Sequence, residues 1–210
     1  MSDKVSEALI ILGGTGNLGR EVLPVLADAG YHLVVFSRSE VLGPPFEHER
    51  VSVQVGSLDE PEFIDSLVTT ALRHAEKLRG AIFLNGGFGN DDGIGADGFT
   101  EKLQQLLEMN VYPTTKVLSR ILPHWQTHGG GRIVLTSATA VEKRFKKGGA
   151  YATAKMVVDS LARQIQREYD PEVVDVHVLR PRFIGTKEGQ DNPADLANEM
   201  LDAVQRKISP

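Results

Sequence analysis

The chain contains no cysteine, which excludes disulfides and thiolate metal sites. No apolar run approaches the ~20 residues that a membrane-spanning helix requires. A dominant basic field is missing too. With a formal net charge of −5, the chain does not offer the electrostatics that a nucleic-acid backbone needs. Met1 to Glu7 are polar and lead directly into an apolar strand, without the charged and then apolar leader of a secreted protein. The expected location is cytoplasmic, with neither nucleic acid nor a membrane as partner.

The chain has 210 residues, 41% apolar and 24% charged, enough for one α/β domain with a full core over residues 1–210. No repeat, low-complexity tract or interdomain linker interrupts it. Short apolar runs that read as buried parallel strands alternate with helical patterns. Strands are expected at Ala8–Leu12, Tyr31–Phe36, Val51–Val55, Ala81–Leu84, Ile133–Thr136 and Val174–Leu179. Helices are expected over Asn17–Ala29, Glu60–Lys77, Phe99–Trp125 with a break at Pro113, Tyr151–Glu168 and Asp195–Lys207. Val51–Val55, short and alternating, suits a sheet edge. This alternation predicts a Rossmann-like, doubly wound parallel sheet in three layers, with strand order 3-2-1-4-5-6. Ligands of such sheets bind beyond the carboxyl ends of the strands, where the order reverses.

Gly13, Gly16 and Gly19 follow the first strand in Gly-Gly-Thr-Gly-Asn-Leu-Gly. The first glycine permits the tight turn, the second lets backbone approach a phosphate, and the third allows close helix–sheet packing. Backbone amides of Thr15, Asn17 and Leu18 at the helix start then face a dinucleotide pyrophosphate with the positive end of the dipole. At the end of strand two, an acidic residue would bind a ribose 2′-hydroxyl and repel a 2′-phosphate. Ser37-Arg38-Ser39 stands there instead. Arginine pairs readily with phosphate and serine adds a neutral donor, so NADP(H) is expected over NAD(H).

Tyr151 and Lys155 lie four apart in Ala-Tyr-Ala-Thr-Ala-Lys. That spacing puts both on one helix face, so the ammonium can lie beside the phenol oxygen. A neighbouring cation lowers a tyrosine pKa toward working pH, where the phenol can exchange a proton with a substrate oxygen. Tyr-x-x-x-Lys by itself is a common pattern. Downstream of the glycine turn it specifies a chemistry.

Together these motifs resemble the short-chain dehydrogenase/reductase family, over nearly the whole chain up to Thr186. Leu84-Asn85-Gly86-Gly87 is similar to the family's Asn-Asn-Ala-Gly after strand four, which implies Asn85 near the cofactor ribose and Gly86 and Gly87 beside adenine and sugar. Asn110 in Met-Asn-Val matches the helix asparagine that holds a proton-relay water. Pro181 to Thr186 resembles Pro-Gly-x-x-x-Thr, implying backbone contact from Ile184 and a Thr186 hydroxyl near nicotinamide and phosphates. Ser57-Leu58 falls where relatives carry Asp-Val or Asp-Leu beside adenine. The resemblance also implies that Lys155 holds the nicotinamide ribose, and that the tyrosine helix packs a dimer interface.

Two departures stand out. Laying Gly131-Arg132-Ile133-Val134 on the family's Gly-Arg-Ile-Val-Asn-Ile-Ser-Ser puts Ala138 on the catalytic serine. A one-residue shift would restore Ser137, Thr139 is a further candidate, and the dihydropteridine reductase branch works without that hydroxyl. Gly13-Gly14-x-Gly and Asn85-Gly86-Gly87-Phe88 also resemble that branch. Second, about two dozen residues follow Thr186, which leaves the usual substrate-capping insertion without a counterpart and suggests a pocket open or completed by a partner.

Other patterns read more simply. His124 and His128 lack the glutamate of a zinc motif and suit a helix end. Asn90-Asp91-Asp92-Gly93 lacks regular calcium-ligand spacing and reads as a mobile, solvated loop. Glu142 to Lys147 is a charge run at the pocket mouth, solvated or attracting an anionic substrate. Val157, Val158, Leu161 and Ile165 are expected in the core. The expected activity is NADP(H)-dependent hydride transfer between nicotinamide and a carbonyl or alcohol. Tyr151 is the proton donor, Lys155 its modulator, Ser137 the substrate-oxygen donor and Asn110 the relay holder. A pteridine-type reductase and a non-catalytic nucleotide sensor are the alternatives, and a homodimer or homotetramer is expected.

Overall fold

Parallel pairing throughout joins six strands in the order β3-β2-β1-β4-β5-β6. The computed structural model of the protein describes residues 4–142 and 147–206. The strands are β1 Val5–Leu12, β2 His32–Ser37, β3 Val51–Val55, β4 Ala75–Phe83, β5 Gly131–Thr136 and β6 Val174–Leu179. The helices are α1 Asn17–Asp28, α2 Pro61–His74, α3 Phe99–Asn110, α4 Tyr112–Thr127, α5 Gly149–Glu168 and α6 Pro193–Gln205. A short 3₁₀ turn, Thr139–Val141, follows β5. The expected three-layer, doubly wound sheet is the observed one.

Period-two alternation along the strands divides the core between the two faces. Ile10, Leu12, Phe83, Ile133 and Leu135 point to one face, where Leu67 of α2, Ile121 and Trp125 of α4, and Val158 and Ile165 of α5 cover them. Leu9, Ile11, Leu33, Val35 and Val134 point to the other, under Val22, Leu23 and Leu26 of α1 and Met200 and Val204 of α6. Each of these side chains contributes roughly 1.5–3 kcal/mol by leaving water. Trp125 also donates from Nε1 to the Leu78 carbonyl at 2.9 Å, fixing α4 against β4.

Several details differ from the sequence expectation. The helix expected through Lys77 ends at His74, and Ala75 to Gly80 extend β4. Ala-Glu-Lys-Leu-Arg-Gly suits a helix end by composition, but β1 begins at Val5 and offers it a parallel partner, with Val5 opposite Ala75 and Glu7 opposite Lys77. The long third helix is two helices parted at Val111, with Pro113 in the first turn of α4, where a missing N–H costs nothing. Val157 is 38% exposed beside Met156 at 47%, so it lies outside the core, while Val158 and Ile165 are buried.

β1 continues to β2 on one side and borders β4 on the other, so the order reverses at the carboxyl ends of β1 and β4. The segments after β1, β4 and β5 therefore converge on one crevice.

Candidate active site

Gly13 follows β1 with φ +75°, and a Cβ there would lie 2.5 Å from the Asn85 nitrogen beyond β4. Only glycine lets these two chain segments meet. Gly19 is packed as tightly, since its Cβ would stand 2.3 Å from the Gly14 carbonyl oxygen. Gly16 is the N-cap of α1, with no side-chain cap and no acidic residue in the first turn. Gly16 and Asn17 are exposed, Thr15 is half-buried, and Leu18 is buried in the core. Uncapped amides at an exposed helix start fit an anionic diphosphate.

At the end of β2, the Ser37 hydroxyl donates to the Ser39 carbonyl at 2.6 Å and accepts from the Ser39 amide at 3.3 Å. That hydroxyl is spent on its own turn. Arg38 is exposed and enters none of the ion pairs among the described residues. After β3, the Ser57 oxygen accepts from the Asp59 amide at 3.1 Å, and Leu58 is buried in the core.

Beyond β4, Asn85 is held between two helices. Its Nδ2 donates to the Met109 carbonyl, and its Oδ1 accepts from the Thr114 hydroxyl, each at 3.3 Å. Gly86 has φ +148°, and a Cβ would fall 2.4 Å from Asn110 Oδ1 and 3.1 Å from Lys155 Nζ. Asn110, 1% exposed, spends its carboxamide on the Gly87 backbone and the Leu106 carbonyl. Its side chain positions the wall of the site.

Tyr151 and Lys155 project from α5 into a cavity of about 520 Å³, whose walls include Gly86, Gly87, Phe88, Ala138, Thr139, Pro181 and Ile184. Tyr151 meets Phe88 edge-on, with ring centroids 5.2 Å apart. Lys155 is 4% exposed. Its Nζ donates to the Thr136 carbonyl at 2.8 Å and stands 5.9 Å from the Tyr151 ring centroid. Burial drives the lysine pKa down to about 8, partly offset by the Asp159 carboxylate. The expected lowering of the tyrosine pKa is not found: burial raises it.

Ser137, expected as the substrate-oxygen donor, follows β5. It lines the cavity, it is 1% exposed, and its hydroxyl donates to the Lys155 carbonyl at 3.4 Å. The bond ties the first residue after β5 to the backbone of α5. Ala138 packs beside Tyr151, and Thr136 and Thr139, both half-buried, are further hydroxyl-bearing residues of the lining.

Pro181 and Ile184 reach the cavity, whereas Thr186 is exposed outside its lining. Asp191 shapes this segment. Its carboxylate accepts from the Arg182 amide at 2.6 Å, and its amide donates to the Phe183 carbonyl at 2.7 Å.

One contact that supports α5 had no signature. Asp91, expected in a mobile, solvated loop, is 8% exposed. Its carboxylate accepts from Ala150 N at 2.8 Å and from Gly93 N at 2.9 Å. The α5 N-cap, Gly148, supplies no side-chain bond, so Asp91 caps from a distant loop the helix that carries Tyr151. Only the missing local cap hinted at this. His124 and His128 stack with centroids 4.2 Å apart, and among the described residues no cluster of three metal-binding side chains occurs. Residues 143–146 of the charge run lie outside the described residues. No helix among the described residues is long and apolar enough to cross a membrane.

Known proteins share the fold and parts of the sequence. The chain is 26% identical over 199 residues to mouse dehydrogenase/reductase SDR family member 4, covering 89% of this chain and 68% of that protein. It is 24% identical over 188 residues to the uncharacterized oxidoreductase YbbO of Escherichia coli K12, covering 87% and 68%. The fold superposes on ElxO with NADP bound at a TM-score of 0.82, with 16% identity and 95% and 92% of the two chains covered. A short-chain type dehydrogenase/reductase from Mycobacterium ulcerans gives 0.79, with 20% identity and 97% and 85% covered. The family model described as short chain dehydrogenase matches residues 7–197, so the chain belongs to that family of oxidoreductases.

Proposed function

We propose that the protein is an NADP(H)-dependent oxidoreductase interconverting a carbonyl and an alcohol on a small-molecule substrate. The observation that carries this reading is that Tyr151 and the buried Lys155 share one cavity with the glycine wall at Gly86 and Gly87. The cofactor fits the residues present: α1 offers uncapped amides at Asn17 and Leu18, and Gly13 and Gly86 leave no room for a Cβ. When bound, the nicotinamide supplies or accepts the hydride. Tyr151 holds its proton at neutral pH, its pKa raised by burial above the ordinary 10.0, and it delivers that proton to the substrate oxygen as a general acid. Lys155 keeps a positive charge beside the phenol and offers donors to the ribose. Arg38, unpaired by carboxylates among the described residues, would pair with the 2′-phosphate. The NADP bound to ElxO, a structural neighbour, supports the same preference.

One observation favours a second reading. The Ser137 hydroxyl bonds the Lys155 carbonyl and Ala138 stands at the wall, an arrangement suited to a pteridine-type C=N substrate that needs no serine donor. A homodimer or homotetramer belongs to the proposal, supported by Met156 and Val157 exposed side by side on α5.

The test is NADPH and NADH oxidation against ketones, aldehydes, quinones and dihydropterins, with cofactor titrations of the parent and Arg38→Asp. NADP(H) should bind at least about tenfold tighter, on the order of 1.4 kcal/mol, and Arg38→Asp should erase the difference. Equal affinities in the parent would remove the NADP(H) preference. Cofactor binding without turnover on any substrate would leave a nucleotide sensor.

A further inference from the structure

We infer that Asp159 and Arg180 form a charge pair behind the site that sets the protonation of Lys155, making Asp159 a positioning residue that acts through the lysine. The inference rests on the proposed role of Lys155 in proton chemistry. Asp159 lies one helical turn beyond Lys155, on the same face of α5, and the two residues are 6% and 4% exposed. Arg180, just past β6, donates to Asp159 Oδ2 from Nε and from Nη2, each at 3.0 Å. Both donors meet one oxygen. Asp159 Oδ1 is buried and has no hydrogen-bond partner among the described residues. A fork-to-fork pair that merely joined α5 to β6 would engage both oxygens. Here a buried anionic oxygen is left uncommitted one turn from a buried ammonium.

The remaining neighbours of Lys155 carry no charge. β5 presents the Thr136 carbonyl at 2.8 Å, and the segment after β4 presents Gly86, backed by Asn110 of α3. Tyr151 is the other titratable group, with its ring centroid 5.9 Å from Nζ. Among the described residues Asp159 is thus the anion opposing desolvation of Lys155, whose pKa stands at about 8 with that opposition in place. Without the carboxylate, the ammonium would release its proton at lower pH. Arg180 acts in the reverse sense by competing for Asp159. Its side chain is 37% exposed and lines a second cavity of about 450 Å³ with Asp191, Asp195 and Glu199.

The experiment is a pH titration of the cofactor-free full chain, carrying ¹³C-labelled lysine side chains, followed by NMR. The Lys155 signal is assigned by its loss in Lys155→Arg. The parent should titrate near 8. Asp159→Asn should lower the Lys155 midpoint by at least about one pH unit, tenfold in the protonation equilibrium, as expected for removal of a close opposite charge. Arg180→Gln removes the competing cation and should raise it. An unchanged midpoint in Asp159→Asn, or shifts of the same sign in both variants, overturns the inference. If Asp159→Asn does not fold, Arg180→Gln decides alone, and absence of an upward shift overturns it. Turnover against pH in the same variants separates the two levels. Midpoints that move as expected, with a turnover profile that does not follow, retain the charge pair and remove Lys155 from the proposed proton chemistry.

Discussion

Asn110 grips Gly87 from both sides of its peptide: the Gly87 amide donates to Oδ1 at 3.3 Å, and Nδ2 donates to the Gly87 carbonyl at 3.2 Å. A third bond, from Nδ2 to the Leu106 carbonyl at 2.8 Å, anchors the carboxamide to its own helix. The wall between Tyr151 and the glycine turn is therefore set by a side chain on α3. Removing it should cost roughly 1–3 kcal/mol of stability, because buried backbone groups lose their partners. Gly86→Ala should also be costly, since its Cβ would meet Asn110 Oδ1 at 2.4 Å. Urea denaturation of Asn110→Ala, Gly86→Ala and the double variant should show coupling of at least about 0.5 kcal/mol. Strict additivity would mean that the two residues do not share this constraint.

The two hydroxyls after β5 should behave differently. The Ser137 hydroxyl faces the Lys155 carbonyl, so Ser137→Ala should keep turnover within about threefold, whereas Thr139→Val should lower it by ~10²-fold if a hydroxyl stabilises the developing charge. Steady-state rates of both variants on one active substrate decide it. A large loss in Ser137→Ala would mean that the serine rotates toward substrate during the reaction.

Asp91 joins the loop after β4 to the first turn of α5. Asp91→Ala removes the acceptor of two amides, Ala150 and Gly93, and should destabilise the protein by about 1–2 kcal/mol. Because Tyr151 is the next residue after Ala150, turnover should fall more than NADPH affinity does. Unfolding midpoints beside kcat and cofactor Kd check this. Unaltered stability would show that the carboxylate is dispensable as a cap.

Stability should also fall in mild acid through His32. This side chain is 4% exposed, stacked on His74 with centroids 4.1 Å apart, and burial, with His74 and Arg50 nearby, lowers its pKa to about 4. The unfolded chain, titrating near 6.5, binds more protons between these values. Folding stability is therefore lost as pH drops from about 6.5 to 4, up to about 3 kcal/mol from this group. The same denaturation series on His32→Gln should show a flatter profile in that window. Parallel profiles would assign the acid sensitivity to other groups.

Strand order and the glycine turn were legible because local apolar runs and φ-demanding glycines announce themselves in a short window. Ala75 to Gly80 was not, because its strand form depends on β1 beginning at Val5, a partner far away in the chain. Asp91 was hidden for the same reason, its cap being supplied across 59 residues. The Ser137 hydroxyl could be placed near the pocket by alignment, but its direction follows from how closely α5 packs on β5. The tyrosine–lysine pair was visible as spacing, while the partner that Lys155 takes, the Thr136 carbonyl, was not.

The central claim is that Tyr151 supplies the proton in a hydride-transfer reaction, and Tyr151→Phe tests it most directly. NADPH affinity, read by titration, should stay within about twofold of the parent, and turnover on the best substrate should fall by at least ~10²-fold. Turnover equal to that of the parent, with NADPH still bound, would contradict the account.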